Sequence, residues 1–282
     1  MSEVLLQTKL FKPSLKPSLI TRPHLIAKLT AGLAGKLTLV SAPAGFGKTT
    51  LISSWLTKTE PTVAWLSLDA LDNKSAQFLR YFVAALEKVT AVDPILTELL
   101  QSENTPAPHL IFTHLLNSLA RQPQSLILVL EDFHVITDSG ILDGLAFLVD
   151  QAPPGLHLVI TSRADPDLPL SRWRVRGELN EIRAADLRFT REETAVLLQQ
   201  MGLNLSEQQT ASLERRTEGW VAGLQLAGLS LQNQSNLDQF IHNFTGSHRY
   251  IMDYLTDEVL SSQPPEIETF LLQTSLLDRF CA

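Results

Sequence analysis

The feature that most constrains this chain is the stretch from residue 37 to residue 50, LTLVSAPAGFGKTT. Apolar residues at 37, 39 and 40 predict a buried strand, a short turn with two glycines follows, and apolar residues then recur at helical spacing. A strand, a glycine-containing loop and a helix in this order are typical of a phosphate-binding loop, whose backbone N–H groups surround phosphate oxygens. An ordinary strand-to-helix connection that contains Gly-Lys-Thr by chance is the less favoured alternative.

The loop sequence predicts which residues would contact a nucleotide. We expect Lys48 to reach the β and γ phosphates and the Thr49 hydroxyl to ligate Mg²⁺. The standard pattern begins with glycine, and Ala42 takes that position, which adds one methyl group and removes some backbone freedom. The nucleotide-binding residues predicted in the loop are Ala44, Gly45, Phe46, Gly47, Lys48, Thr49 and Thr50, the last of which is expected to pack at the helix start.

A second apolar run, residues 126–130, ends in two acids, Glu131 and Asp132. A buried parallel strand in this position delivers a carboxylate to the sheet edge beside the phosphate loop. We predict that Glu131 helps to hold Mg²⁺, where aspartate is more usual, and that Asp132 polarises the attacking water. The alternative is that the two acids only mark a strand end and a helix cap. Their position about 80 residues after the loop favours the catalytic interpretation.

A further predicted strand, residues 156–162, is followed by Arg163. Ligands of open α/β sheets bind at the carboxyl ends of the strands, and a planar guanidinium suits a terminal phosphate. Arg163 is therefore the predicted γ-phosphate sensor, and a surface salt bridge is the alternative. Five other arginines form a basic cluster that could contact phosphate, a partner subunit or, most commonly, nearby acids. They are Arg172, Arg174, Arg176, Arg183 and Arg188.

Composition limits the class of protein. A length of 282 residues accommodates two domains, and 44% hydrophobic with 19% charged residues is ordinary for a globular protein. The net charge of −7 argues against this segment gripping nucleic acid by itself. The single cysteine, Cys281, excludes an internal disulfide and fits a reducing compartment. Neither a leader peptide nor an apolar run of membrane-spanning length is recognised, so a cytoplasmic protein is expected.

The pattern before and after the central region is helical. Residues 1–36 contain three prolines and then a helical repeat of apolar residues, which either covers the base of a nucleotide or only packs against the core. Thr190 and Glu193 form a predicted capping box that opens a run of helices, with further helices after Ser206 and Trp220.

Several ordered stretches together resemble one family, the MalT-like, large LuxR-type transcriptional regulators, which are signal-transduction ATPases of the STAND class. Those stretches are TRPHL at 21–25, APAGFGKTT at 42–50, WLSLD at 65–69, LEDFH at 130–134, TSR at 161–163, the segments 176–179 and 188–190, and RTEGWVAGLQL at 216–226. The resemblance covers essentially the whole chain.

The resemblance implies an α/β fold of the P-loop NTPase type, with an ASCE-type parallel sheet of strand order 5-1-4-3-2, followed by a helical domain and a partial winged-helix domain. The expected segments are an arm and helix over the nucleotide (1–36), a nucleotide-binding domain (37–184), a helical domain (185–236) and the start of a winged-helix domain (245–282). Full-length relatives carry further sensor and DNA-binding domains, so the chain is expected to be a fragment.

The family also implies roles for residues by position. Lys48 and Thr49 would bind phosphate and Mg²⁺, and the region of Arg22 would lie over the adenine. Related ATPases place the proline of a G-x-P turn against the adenine. The corresponding residues here are Gly219 to Val221, with valine in the place of proline. The implied cofactors are ATP or ADP and Mg²⁺, and the inducer and DNA would be bound through domains outside this chain.

Three functions are compatible with these features. The leading hypothesis is an ATP/ADP-binding switch module of a transcriptional regulator, in which slow hydrolysis is coupled to inducer-dependent opening and self-association. A non-hydrolysing, ADP-bound scaffold is the alternative, supported by Ala42 and Glu131. A small-molecule P-loop kinase ranks last, because the helical segment after residue 190 offers no recognisable acceptor site.

Overall fold

The computed structural model describes residues 4–15, 19–59, 61–101, 107–122, 124–232, 234, 236–244, 249–260 and 265–274. The chain divides into two compact units. The first comprises Met1–Pro43 and Gly47–Leu187, and the second comprises Ala44–Phe46 and Arg188–Ala282. Three residues of the predicted phosphate loop therefore group with the second unit.

A five-stranded parallel sheet forms the centre of the first unit. Its strands are β1 (Leu37–Ser41), β2 (Thr62–Ser67), β3 (Leu126–Glu131), β4 (Leu156–Ser162) and β5 (Leu179–Arg183). They lie in the order β2-β3-β4-β1-β5, which is the predicted order 5-1-4-3-2 read from the opposite edge. The predicted α/β fold of the P-loop type is confirmed. Strands buried on both faces read as continuous apolar runs, and every residue of β3 is buried.

Eight α-helices accompany the sheet in the described part of the first unit. They are α1 (Pro23–Gly32), α2 (Lys48–Thr59), α3 (Ser75–Glu87), α4 (Ile95–Gln101), α5 (Pro108–Leu119), α6 (Ser139–Asp150), α7 (Leu170–Val175) and α8 (Ala184–Leu187). Helix α1 begins at Pro23, and proline suits a first helical turn because the N–H that it lacks would have no acceptor within the helix. The short helix α4 lies between α3 and α5.

Helices cover both faces of the sheet. On one face, Leu39 belongs to a buried cluster with Phe82 of α3 and Phe112 of α5, whose rings meet edge to face at 5.2 Å. Alternate residues of a strand point to opposite faces, so Val40 lies on the other side, where α1 contacts both β1 and α2. Full burial of such side chains contributes about 1.5–3 kcal/mol each, so the sheet edge that carries the site rests on a well-packed core.

The strand register aligns polar residues at the carboxyl edge of the sheet. Ser41 at the end of β1 pairs with Ser162 of β4 and with Arg183 of β5. Ser67 at the end of β2 pairs with Glu131 of β3. All five strands run in the same direction, so residues that the chain separates widely meet at one edge.

The second unit is helical in its described part. Its helices are α9 (Arg191–Gln200), α10 (Glu207–Thr217), α11 (Val221–Leu231), α12 (Leu237–Asn243), α13 (Arg249–Leu255), which continues as a π-turn over Thr256–Leu260, and α14 (Pro265–Thr274). The predicted capping box between Thr190 and Glu193 is present, and Ser206 forms a second one with Gln209 at the start of α10.

The division of the chain into compact units falls between Leu187 and Arg188, three residues beyond the expected end of the nucleotide-binding domain at 184, and the expected domain bounds stay predictions. The physical reason is that α8 follows β5 directly and is tied to the first unit. The Arg22 guanidinium donates to the Leu187 carbonyl at 2.8 Å and to the Asp186 carbonyl at 3.2 Å. The Lys28 ammonium forms an ion pair with the Asp186 carboxylate at 3.0 Å.

In the carboxyl-terminal region, where the start of a winged-helix domain was expected at 245–282, the structure has α13 with its π-turn and α14. Residues 275–282, which include Cys281, lie outside the described residues. Over the residues that the structure describes, no helix combines the length and apolar character that a membrane crossing requires.

His157 makes the stability of the fold depend on pH. The ring is buried between the Thr38 hydroxyl, 2.9 Å from Nε2, and the Gly35 carbonyl, 3.0 Å from Nδ1. Burial lowers the pKa of His157, although the hydrogen bond to Gly35 acts in the opposite direction. The unfolded chain therefore takes up a proton at His157 near pH 6.5, whereas the folded chain takes one up only at lower pH. The free energy of unfolding consequently falls as the pH drops below 6.5.

We expect His157→Gln to flatten the pH dependence of the unfolding free energy between about pH 6.5 and pH 5. Urea unfolding at a series of pH values measures this slope. Burial also lowers the pKa of His134, so part of the slope should remain in the variant. His24→Gln, at an exposed position, serves as the control and should retain the full slope. An unchanged slope in His157→Gln would show that His157 does not cause this pH dependence of the unfolding free energy.

Candidate nucleotide-binding site

The phosphate loop leaves the sheet at the end of β1. The Ala42 N–H donates to the Ser162 carbonyl at 3.2 Å, which extends the pairing of β1 with β4 by one residue. Gly45 and Gly47 have φ angles of +76° and +79°, which only glycine adopts readily. Ala42 is not among the described residues with positive φ, so alanine is compatible with the first position of the loop. Helix α2 begins at Lys48, directly after the second of these glycines.

Lys48 is buried within the first unit and binds its own loop. Its ammonium donates to the Ala42 carbonyl at 2.7 Å and to the Pro43 carbonyl at 3.0 Å. Burial lowers the pKa of Lys48; the charge of Arg163 lowers it further, and the carboxylates of Asp132 and Glu131 act in the opposite direction. A desolvated ammonium held only by neutral carbonyls gains strongly from an anion, which is the property that a phosphate-binding lysine needs.

Glu131 joins the loop helix to two strands. One carboxylate oxygen accepts a short hydrogen bond from the Thr49 hydroxyl, and the other accepts from the Ser67 hydroxyl at 2.6 Å. The Trp65 indole donates to the Ser67 oxygen at 2.9 Å, which orients that hydroxyl. The structure therefore brings together Thr49 and Glu131, the two residues predicted to hold Mg²⁺, and their role as metal ligands stays a prediction.

Ser67 was not singled out by the sequence analysis as a functional residue. It appeared only within the stretch WLSLD at 65–69, one of those that carry the family resemblance. The signal available in the sequence was weak: one small polar residue at the end of an apolar run. Its role follows from the parallel register, because the Cα of Ser67 pairs with that of Glu131.

Asp132 adopts a left-handed backbone conformation with φ +55°. Its N–H donates to the Thr161 hydroxyl of β4 at 3.1 Å, and His134 Nδ1 lies 3.9 Å from a carboxylate oxygen of Asp132. Asp132 precedes a 3₁₀ turn at Phe133–Val135, but its side chain makes no cap hydrogen bond. The half-exposed carboxylate is therefore not used as a helix cap, the alternative considered from the sequence.

Arg163 directly follows β4, and its positive charge contributes to lowering the pKa values of Lys48 and His134. The first unit thus gathers the predicted lysine, acids and arginine at the carboxyl edge of the sheet. The role of Arg163 as a γ-phosphate sensor stays a prediction. The Arg22 guanidinium donates hydrogen bonds to backbone carbonyls of α8.

The five arginines of the basic cluster pair with acids, the commonest of the three alternatives. Within the first unit, Arg174 and Arg183 both bind the Glu181 carboxylate, and the pKa of Glu181 is lowered to about 2, chiefly by the hydrogen bond from Arg174. Arg172 and Arg176 pair with Asp150, Arg183 also with Asp165, and Arg188 of the second unit with Glu218. Most of these pairs are half-exposed and contribute little to stability.

The second unit contains the loop residues 44–46 and two of the predicted adenine-side residues, Gly219 and Val221. The Trp220 indole donates to the Ala44 carbonyl at 3.1 Å, and the Ala222 N–H donates to the Gly45 carbonyl at 3.0 Å. Val221 is the first residue of α11. The sequence analysis placed Trp220 only within the glycine-valine turn and missed its contact with the loop, which no local pattern encodes.

Gly219 is required by its backbone. It has φ +70°, and a Cβ at this position would lie 2.6 Å from the Phe189 carbonyl oxygen. The Phe189 N–H in turn donates to the Gly219 carbonyl at 2.8 Å. The contacts described for Gly219 are therefore structural, and its predicted role at the nucleotide stays a prediction.

The donor set fits Mg²⁺ held together with phosphate oxygens. Mg²⁺ is usually bound by one or two protein oxygens, substrate phosphates and waters, and Thr49 with Glu131 provides such a pair. In the part of the chain that the structure describes, no group of three or more His, Cys, Asp or Glu side chains could hold a metal ion by itself.

Comparisons with known proteins agree with this geometry. Residues 20–161 match the family model of the AAA ATPase domain, and residues 256–282 match that of the MalT winged helix domain. The chain is similar to the serine/threonine-protein kinase PknK of Mycobacterium tuberculosis (strain CDC 1551 / Oshkosh), with 35% identity over 96% of this chain and 25% of the relative. It is also similar to the HTH-type transcriptional regulator MalT of Cronobacter sakazakii, with 34% identity over 97% of this chain and 31% of the relative.

Two solved structures share the fold at low sequence identity. A Walker-type ATPase of Pyrococcus abyssi superposes with a TM-score of 0.59 at 12% identity, covering 96% of this chain and 81% of that one. Cdc6p of Pyrobaculum aerophilum superposes with a TM-score of 0.51 at 14% identity, covering 83% and 68%. The chain spans only about a quarter to a third of the length of the curated relatives described above.

Proposed function

The chain belongs to the AAA ATPase domain family, and from this premise we propose that it is the ATP- and ADP-binding switch module of a transcriptional regulator. The observation that carries the proposal is the contact between the Thr49 hydroxyl and the Glu131 carboxylate. Thr49 lies in the first turn of α2, the helix that starts at the buried Lys48. A hydroxyl, an acid and an ammonium at the carboxyl edge of a parallel sheet are the groups with which P-loop NTPases bind a nucleotide.

Five polar residues of the first unit have roles in this proposal. Lys48 exchanges the carbonyls of its own loop for β- and γ-phosphate oxygens, while Thr49 and Glu131 hold Mg²⁺. An ion held by these two residues would neutralise charge on the phosphates. Asp132, whose carboxylate is half-exposed, orients the attacking water, and Arg163 detects the γ-phosphate.

The adenine side of the site rests on the family resemblance. We assign the turn from Gly219 to Val221 and the region of Arg22 to the base. Since the Arg22 guanidinium is bonded to the carbonyls of Asp186 and Leu187, its proposed contribution is to hold the segment before the unit boundary rather than to bond the base directly.

The switch itself requires that ADP and ATP favour different states of the module. A nucleotide that binds two states equally shifts nothing, whatever its affinity. We propose that the ADP-bound state is closed, that an inducer promotes exchange for ATP, and that the ATP-bound state opens and self-associates. Slow hydrolysis then restores the first state.

The relatives support a shared nucleotide module rather than a shared downstream activity. One relative is a protein kinase and another is a transcriptional regulator, yet both match nearly the whole of this chain. The match to the MalT winged helix domain favours the regulator. Contacts with the inducer and with DNA are assigned to regions outside this chain, and the compartment to the cytoplasm.

A non-hydrolysing scaffold that retains ADP is the second candidate. Each oxygen of Glu131 accepts a hydrogen bond from a hydroxyl, one from Thr49 and one from Ser67, so the carboxylate already ties the start of α2 to β2. Such an arrangement suits a carboxylate that holds the loop helix in place without taking part in turnover.

Mass spectrometry of the nucleotide released on denaturing the purified protein, with steady-state phosphate release measured alongside, tests the proposal. We expect bound ADP and slow phosphate release from added ATP. Bound ADP without turnover would favour the scaffold. Neither bound nucleotide nor binding of added ATP would overturn the assignment of the phosphate loop.

A further inference from the structure

Two backbone carbonyls of the phosphate loop accept hydrogen bonds from the start of helix α11. Within the second unit, the Ala44 carbonyl accepts the indole N–H of Trp220 at 3.1 Å, and the Gly45 carbonyl accepts the N–H of Ala222 at 3.0 Å. Two consecutive peptide groups of the loop are therefore hydrogen-bonded to the Trp220 side chain and to the first turn of α11.

The helix also needs these contacts. The first N–H groups of an α-helix have no acceptor within the helix, and Trp220, the residue before α11, provides no side-chain cap. The Gly45 carbonyl satisfies the N–H of Ala222 instead. The Trp220 ring is supported from α13 by Tyr254, whose ring meets it edge to face with centroids 5.5 Å apart.

Peptide geometry turns this contact into a statement about phosphate binding. In a trans peptide group the C=O and the following N–H point in opposite directions. The Ala44 carbonyl shares its peptide group with the Gly45 N–H, and the Gly45 carbonyl shares its own with the Phe46 N–H. Holding both carbonyls on the side of α11 turns both N–H groups to the opposite side.

We propose that Trp220 and the first turn of α11 orient the Gly45 and Phe46 N–H groups toward the phosphates of a nucleoside diphosphate. This inference rests on the proposed nucleotide-binding function and names a positioning residue for it. Trp220 acts through the loop backbone and makes no contact with the nucleotide in this role. By thermodynamic reciprocity, bound phosphate strengthens the contact of Trp220 with the loop.

The close approach of the loop explains why glycine stands at position 45. A Cβ there would lie 2.6 Å from the Ala222 Cβ and 2.8 Å from the Trp220 indole nitrogen. Gly47 has a similar φ, but a Cβ there would meet nothing within 4 Å. Backbone conformation alone therefore accounts for the second glycine, whereas the first is needed for both conformation and contact.

Trp220→Phe tests the inference because it removes the N–H donor and keeps an aromatic ring against Tyr254. In calorimetric titrations of the 282-residue chain, we expect about three- to tenfold weaker ADP binding, the effect of one lost hydrogen bond. Trp173→Phe is the matched control. It removes an indole N–H that donates to Asp150 at 2.8 Å in the first unit, and it should leave ADP affinity unchanged.

A second readout separates positioning from general stability. The chain has four tryptophans, so its ¹⁵N spectrum should contain four indole signals, and Trp220→Phe identifies one of them. We expect ADP to shift the Trp220 signal in the wild type and to leave it unmoved in Lys48→Ala.

The outcomes distinguish this inference from the function on which it rests. If the wild type binds ADP but Trp220→Phe binds it equally well, or if the Trp220 signal does not respond to ADP, the positioning role is wrong and the nucleotide site stands. If the wild type binds neither ADP nor ATP, both are overturned.

Discussion

Replacing Lys48 by alanine is expected to abolish measurable binding of ADP and ATP. The ammonium is buried, its pKa is lowered by that burial, and only the Ala42 and Pro43 carbonyls accept from it in the described contacts. Phosphate oxygens would replace neutral acceptors with charged ones. Hydrogen bonds to charged groups contribute about 1.5–3 kcal/mol each, so losing two weakens binding about 10²- to 10⁴-fold.

Calorimetric titration with ADP and with ATP measures this effect. Lys58→Ala is the matched control, because Lys58 is an exposed lysine in the last turn of the same helix, α2. The control should bind both nucleotides as the wild type does. Circular dichroism should show that Lys48→Ala remains folded, since the change removes a desolvated charge from the first unit. Tight ATP binding retained in this variant would disprove the phosphate-loop assignment.

Glu131→Gln is expected to separate nucleotide binding from hydrolysis. An amide oxygen carries no charge for Mg²⁺, and the amide NH₂ cannot accept from a hydroxyl as the second carboxylate oxygen does. The Thr49 and Ser67 hydroxyls therefore cannot both keep their present acceptors. Because a positioned metal supplies several kcal/mol, we expect phosphate release to fall on the order of 10²-fold, with ADP still bound.

Steady-state phosphate release at a series of Mg²⁺ concentrations measures this prediction. Asp132→Asn is the informative comparison, because asparagine tolerates the left-handed backbone found at this position. It should lower turnover without changing the Mg²⁺ dependence. A Glu131→Gln variant with the turnover and Mg²⁺ dependence of the wild type would exclude the metal-side role. If the wild type itself releases no phosphate, the scaffold is the better description.

Much of the first unit could be predicted from local patterns. The strand-loop-helix around Lys48 and the apolar run that ends at Glu131 lie on the predicted elements. Element type is encoded by periodicity and by capping residues close in sequence, as the box of Thr190 with Glu193 illustrates. The strand order was predicted as well, but from the family resemblance rather than from periodicity.

Contacts between distant residues were predictable only in part. The basic cluster could be recognised from its spacing, and its pairing with acids was one of three alternatives that the spacing left open. Ser67 was not recognised as a partner of Glu131, 64 positions away, because that contact depends on strand register. Likewise, the hydrogen bond from the Arg22 guanidinium to the Leu187 carbonyl could not be predicted from one arginine followed by a proline.

The sequence by itself determined the strand-loop-helix around Lys48, the apolar strand that ends in two acids and the succession of helices, because each depends on residues within a few turns of one another. The tertiary structure alone decided which hydroxyls hold Glu131 and which indole holds the loop carbonyls. Trp220 lies 176 positions from Ala44, and their hydrogen bond exists only because packing of the second unit brings the start of α11 to the loop. Such contacts arise from the summed packing of many side chains, so no short segment encodes them.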